Sequence, residues 1–512
     1  MSRPATPEVP QPESAPATEH PRPVRTAPPL PTLKDVCLLD VRVMAHIPKA
    51  LRGIVARSWG AAWSAAAWKN TGDAWVPAFM FAKVVFGTDP RQARGFTTPD
   101  EVKARLARWD AGEGPFMWEE LVESTRLQAA KKNGKAKKAA IPTQKAERAE
   151  KLVREGQFSK GLAALMAAPA KLKNAATRKA LELLHPKRHA GARPAQEPTG
   201  PHTPIDIAEA LAALRSFRVG SSPGALQIRV EFLREVADAD PSGGFITNLV
   251  AAMNVLQRGV APPCVRASFA GAALSALEKK DGGTRPIAAG ESLRRVIGKV
   301  LCSRIKSKAS TFFAPLQFGV ACSHGTERIV HRTRTFWEAC GDHHDACLVK
   351  WDFRNAFNSI ARSAVLARVQ RDFPEIATWA WWTYGESSNL WYDGGHMDSD
   401  EGVQQGDPLG PFLFSLALEA LTAEIHAKCP DLALHAWYLD DGVVGVRRQD
   451  RPRPQLRKVR GYFPPQTTRR PLPEGCGVGG RHHRAPGLQT DLHIPQRRVR
   501  PLGDPDRGRR FR

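Results

Sequence analysis

Leu434-His435-Ala436-Trp437-Tyr438-Leu439-Asp440-Asp441-Gly442-Val443-Val444-Gly445-Val446 is the stretch on which the reading of this chain turns. Two runs rich in β-branched and aromatic residues flank a short polar interruption, and Asp-Gly is a strong hairpin signal. An ordinary hairpin satisfies that pattern. Two adjacent acids between apolar strands nevertheless carry an electrostatic cost, and a bound divalent cation offsets it.

A second acid lies upstream. Ala346-Cys347-Leu348-Val349-Lys350-Trp351-Asp352 reads as a short buried strand that delivers Asp352 to its end. Taken alone, Asp352 is more often a helix N-cap. Taken with Asp440 and Asp441, it completes a set of hard oxygen ligands of the kind Mg²⁺ prefers, a cation that keeps waters and substrate phosphates in its shell. Two Mg²⁺ ions about 4 Å apart, held by such carboxylates, are the arrangement of two-metal nucleotidyl transfer.

The rest of the chain fits a polyanionic partner. Lys and Arg total 75 against 51 Asp and Glu, a formal net charge of +24 over 512 residues, which points to nucleic acid. Charge alone does not separate an enzyme from a ribosomal or histone-like binder. The hydrophobic fraction of 42% is ample for a core. Eight scattered cysteines, with Cys302 and Cys347 in apolar context, read as buried thiols in a reducing compartment. The first residues lack the apolar stretch of a secretory signal, and no apolar run approaches the roughly 18 residues that span a bilayer. The expected location is intracellular, and nuclear.

Organisation follows composition. Residues 1–32 are Pro-rich with few large apolar residues and are expected to be disordered. Residues 33–130 are expected to form a helical region, with Trp59, Trp63, Trp68 and Trp75 as packing residues rather than base-stacking platforms. Residues 131–204 combine a basic run, readable as a nucleic-acid contact, a nuclear localisation signal or a solvated linker, with helical patterns that stop at His185-Pro186. A Pro- and Gly-rich joint precedes residues 205–446, where helical and strand-like segments alternate. Cys340, His343, His344 and Cys347 have spacings a zinc site could use, but a polar loop before the Asp352 strand is the favoured reading.

Within residues 205–446 the motifs resemble those of reverse transcriptases of the non-LTR retrotransposon type. Tyr438-Leu439-Asp440-Asp441 is similar to the family's Tyr-x-Asp-Asp motif, and Asp352 with Phe357 resembles its first palm motif. Gln404-Gln405-Gly406-Asp407-Pro408-Leu409-Gly410-Pro411 resembles the motif between them. Lys279-Lys280-Asp281-Gly282-Gly283-Thr284-Arg285-Pro286-Ile287, followed by Arg294-Arg295 and Lys299, resembles the fingers motif. Gln317-Phe318-Gly319-Val320 and His324-Gly325-Thr326-Glu327 resemble the next fingers segment. Upstream, the stretches around Arg105 to Glu113 and Glu155 to Lys160 resemble segments that precede the polymerase in such elements.

The resemblance implies an α+β fold: right-hand polymerase fingers and palm, the palm an antiparallel sheet with helices, preceded by the helical N-terminal region. It implies RNA-templated DNA synthesis from an RNA template, a DNA primer and dNTPs, with two Mg²⁺ ions held by Asp352, Asp440 and Asp441. Lys279 and Arg285 would hold the triphosphate, and Gln405 and Gly406 would line the nascent base pair, where Gly allows close backbone approach. Phe357 would exclude a ribose 2′-hydroxyl; the alternative is a ring that is simply buried. That steric role argues against an RNA-dependent RNA polymerase, which also uses an Asp-Asp hairpin. After Arg447 the texture turns to Arg, Pro and Gly. No thumb is recognisable there, so residues 447–512 are expected to be a non-globular basic tail, out of frame or native. A weak or inactive polymerase, or a non-catalytic nucleic-acid-binding remnant, would result.

Overall fold

The computed structural model describes residues 26–88, 97–132, 142–154, 158–166, 170–188, 198, 200–279, 281–340 and 346–447. The expected disordered segment up to residue 25, Lys280, the possible zinc-loop residues His343 and His344, and the tail after Arg447 lie outside these residues, as does most of the basic run.

The first half is helical because its apolar residues recur at helical spacing and its helix ends carry local caps. Leu33–Leu38 opens with a capping box, in which the Thr32 hydroxyl accepts from the Asp35 amide while the Asp35 carboxylate accepts from the Thr32 amide. Helices Arg52–Lys69 and Gly72–Phe86 form a hairpin whose turn uses Asn70 in the left-handed region and Thr71 as N-cap. Trp59, Trp63 and Trp75 are fully buried among Phe79, Phe81 and Phe86, as their apolar context requires. Trp68 departs from expectation: it is 80% exposed. Nine residues beyond Trp59 and five beyond Trp63, it falls on the solvent face of the same helix, so periodicity and residue type disagree there and periodicity wins.

This hairpin packs on helix Gly244–Gln257, and Gly60 lets the two helices approach at Phe245. The buried core then runs unbroken from Leu33 across the Pro- and Gly-rich joint to Trp437. Helix Ala175–Leu184 stops at His185, immediately before Pro186, as read from sequence.

Among the described residues, seven strands make two sheets. β1 (Ala272–Glu278), β2 (Thr284–Gly290), β4 (Ser388–Tyr392) and β5 (Gly395–Ser399) form one, in the order β2-β1-β4-β5. β3 (Ala346–Asp352), β6 (Leu432–Tyr438) and β7 (Asp441–Arg447) form the other, in the order β3-β7-β6. The three-stranded sheet is antiparallel throughout, as expected. The four-stranded sheet is mixed, because β1 runs parallel to β4, and sequence gave no sign of that long-range pairing. Helices and antiparallel sheets occupy one chain, an α+β arrangement.

Two corrections concern the strands. β3 is an edge strand, and none of its seven residues is buried. Its apolar run therefore reflects β-propensity rather than two-sided burial. Among the cysteines, Cys347 on that strand is exposed, Cys302 is half-buried, and all seven described cysteines are unpaired.

Candidate active site

The three candidate carboxylates owe their placement to strand register. Asp352 ends β3 directly opposite Asp441 at the start of β7, and Tyr438 faces Asp441 from β6. Residues directly opposite in an antiparallel pair share a face. Asp352, Asp441 and Tyr438 thus form one row, and all three are exposed. Asp352 caps no helix; the following one-turn helix, Ala356–Ser359, is preceded by Asn355.

The turn itself differs from the sequence reading. Because Tyr438 pairs with Asp441, the two-residue loop is Leu439-Asp440, and Asp441-Gly442 belongs to the strand. Leu439 takes the left-handed conformation, φ +56°. Gly442 answers a packing need: a Cβ there would lie 2.4 Å from the Trp437 ring. Trp437 is fully buried on the opposite face from the acids, against Trp351 and stacked on Phe353. One face of the hairpin is therefore anchored by Trp437, while the other is buried at Leu434 and Ala436 and presents carboxylates only at its loop end.

Burial, followed by the charges of Asp441 and Asp352, raises the Asp440 carboxyl above its ordinary range, against the pull of its own backbone amide and of Lys350. Lys350 pairs with Asp441 at 3.3 Å, both well exposed. Among the described residues, no three Asp, Glu, His or Cys side chains stand close enough to make a metal shell by themselves.

Phe357 stacks on Phe414 of helix Gly410–Lys428, with ring centroids 4.7 Å apart and planes 13° from parallel. It is half-buried, so the ring is both packed and partly presented. Its carbonyl accepts from the Val403 amide at 2.7 Å, which ties it to the segment carrying Gln405 and Gly406. Gln405 is exposed. Gly406 presses on β2, where a Cβ would meet the Ala288 carbonyl oxygen at 2.1 Å. Pro411 occupies the first turn of its helix and Phe412, Leu413 and Phe414 are buried, as read from sequence. Lys279 and Arg285 are exposed on the β1–β2 hairpin, on the other sheet from the carboxylates.

A buried network that the sequence reading passed over holds the Gln405-Gly406 segment. Arg294 pairs with Asp407 at 2.7 Å, the two side chains 1% and 2% exposed. The Tyr384 hydroxyl donates to the same Asp407 oxygen at 2.7 Å, and Arg294 donates to Gln404 Oε1 at 2.7 Å. The Tyr384 ring lies beneath both the Arg294 and Arg362 guanidiniums. Asp407 within the quoted motif, and Arg294 after the fingers motif, were each visible in sequence, but their pairing across 113 residues was not.

A family model described as reverse transcriptase (RNA-dependent DNA polymerase) matches residues 277–462. The retrotransposable element SLACS 132 kDa protein of Trypanosoma brucei gambiense is 32% identical over 186 residues, covering 34% of this chain. The chain spans about 15% of the length of that relative. The family match embraces every candidate residue above.

Proposed function

We propose that this chain, which carries a reverse transcriptase domain of the RNA-directed DNA polymerase family, copies RNA into DNA for a non-LTR retrotransposon, with Asp352, Asp440 and Asp441 as its catalytic carboxylates. The observation that carries this reading is the register that sets Asp352 opposite Asp441 with Asp440 at the adjoining hairpin tip. Three acids offset by one lysine hold negative charge ready for cations. Two Mg²⁺ ions bound there would activate the primer 3′-hydroxyl and stabilise the leaving pyrophosphate.

The chain's own residues supply the remaining functions in this proposal. Phe357, backed by Phe414, bars a 2′-hydroxyl. Gln405 and Gly406 line the new base pair, held against β2 by the Arg294–Asp407–Tyr384 network. Lys279 and Arg285 meet the triphosphate with charge-assisted hydrogen bonds. Template RNA and DNA primer are held largely through phosphate contacts by basic residues. The β1–β4 sheet corresponds in this reading to the fingers side and the β3–β7–β6 sheet to the palm.

Primer extension on an RNA template with dNTPs and Mg²⁺ tests the proposal, with Asp440→Asn as the blank. Extension by the unmodified chain that Asp440→Asn abolishes supports it. Binding of primer and template without any extension favours a non-catalytic nucleic-acid-binding protein instead.

Among the described residues, no helix is long and apolar enough to cross a membrane.

A further inference from the structure

We infer that Gln317 is a positioning residue, a carboxamide clamp that holds the Leu439-Asp440 loop in the conformation that presents Asp440. This inference rests on the polymerase reading of the carboxylates. Gln317 is buried, and its side chain bonds both backbone groups of one loop residue. Its Oε1 accepts from the Leu439 amide at 2.8 Å, and its Nε2 donates to the Leu439 carbonyl at 3.3 Å. The same Oε1 accepts from the Gly319 amide at 2.9 Å, which fixes the orientation of the carboxamide.

The backbone around Gln317 is committed to the same task. Phe318 donates its amide to the Trp437 carbonyl at 2.7 Å, and Trp437 donates to the Leu316 carbonyl at 2.8 Å. Residues 316–318 thus lie along the free edge of β6 as a short parallel bridge that ends at the loop. Gly319 follows where a Cβ would come within 2.8 Å of the Leu439 nitrogen, so only glycine lets the segment wrap the tip.

The loop needs such a clamp for two reasons. Leu439 has positive φ, a region that a branched aliphatic residue rarely adopts and keeps only when its surroundings over-determine it. The loop also brings Asp440 to the end of the sheet where Asp352 pairs with Asp441, so three carboxylates meet at one tip. The Leu439 carbonyl belongs to the peptide plane that ends at the Asp440 nitrogen. Fixing that carbonyl fixes the direction from which the Asp440 side chain departs.

The test uses the full chain with Gln317→Met, which keeps length and apolar bulk but loses both hydrogen-bonding groups. Amide hydrogen exchange is read on peptides covering β6 to β7, with the β4–β5 hairpin as internal control. Manganese(II) affinity is read by electron paramagnetic resonance of the free ion, with Asp440→Asn as reference. We expect faster exchange confined to the Leu432–Arg447 region, and Mn²⁺ binding weakened by about 10- to 100-fold, the range for groups that orient metal ligands. Unchanged exchange at the loop overturns the clamp. Faster exchange with unchanged Mn²⁺ affinity overturns its positioning role. If faster exchange spreads to β4–β5, Gln317 serves general stability and the inference also fails. Mn²⁺ binding that Asp440→Asn leaves untouched refutes the polymerase reading of the site on its own. In that case the exchange data still decide whether Gln317 holds the loop.

Discussion

Phe357 shows how one residue can carry two roles. Its ring stacks on Phe414 and yet remains half-exposed. As a steric gate, it should be replaceable without collapse, so Phe357→Val is expected to raise ribonucleotide incorporation relative to deoxynucleotide incorporation in primer extension. An unchanged ratio would leave Phe357 as a packing residue only. Glu291 makes a second residue-scale case, at a position sequence did not single out. It is fully buried, accepts from the Leu226 amide at 3.1 Å, and sits where Gly224 has no room for a side chain. Burial lifts its carboxyl to about 7, against its backbone donors and the charges of Lys83 and Arg295. Lys83, buried with it and with Cys37, is lowered to about 8 by desolvation. A carboxyl raised in the folded state binds more protons folded than unfolded between its two pKa values. Its favourable contribution is therefore full below about 4.5 and is lost as pH rises through about 7. The unmodified chain should lose stability across that window, by on the order of 3 kcal/mol at most. Glu291→Gln should flatten the slope. Thermal melts from pH 4.5 to 7.5 check this, and a slope that survives the substitution would assign it to another group.

Among the elements, the β6–β7 hairpin and the segment from Val403 to Pro411 illustrate different limits of sequence reading. Alternation in Leu434 to Val446 located the hairpin, because strand periodicity is local. The Asp-Gly signal falls two residues past the Leu439-Asp440 loop, because Gly442 answers packing against the Trp437 ring. The Val403–Pro411 segment was recognised by resemblance, but its anchor is the buried Arg294–Asp407 pair, contributed by residues far apart in sequence. Removing one partner of a buried ion pair leaves an uncompensated charge, whereas replacing both with apolar groups removes the need for compensation. Asp407→Asn should therefore destabilise the protein by on the order of 3 kcal/mol in chemical denaturation. The double change Arg294→Met with Asp407→Leu should cost less than the sum of its singles. Strict additivity would mean that the two side chains are not coupled.

For the whole molecule, the net charge of +24 is the basis of the proposed encounter with nucleic acid. Binding to an RNA–DNA primer-template, followed by fluorescence anisotropy, should fall by about 10³-fold or more between roughly 50 and 200 mM salt if six or more phosphates are contacted. A flat salt response would remove the phosphate-contact reading. The sequence by itself determined the net charge, the helical first half, the identity of the acids and the order of the motifs. Each of these rests on neighbours in the chain: caps, periodicity, charge count and short motifs. Tertiary structure alone decided that β3 is an edge, that β1 runs parallel to β4, and that Asp352 stands opposite Asp441. It also decided that Gln317 reaches the loop at Leu439. These are contacts between residues tens to more than a hundred positions apart, and no local preference encodes them. They arise when the hydrophobic clusters close, one around the buried tryptophans and two smaller ones against the sheets, and set the register of the strands that border them.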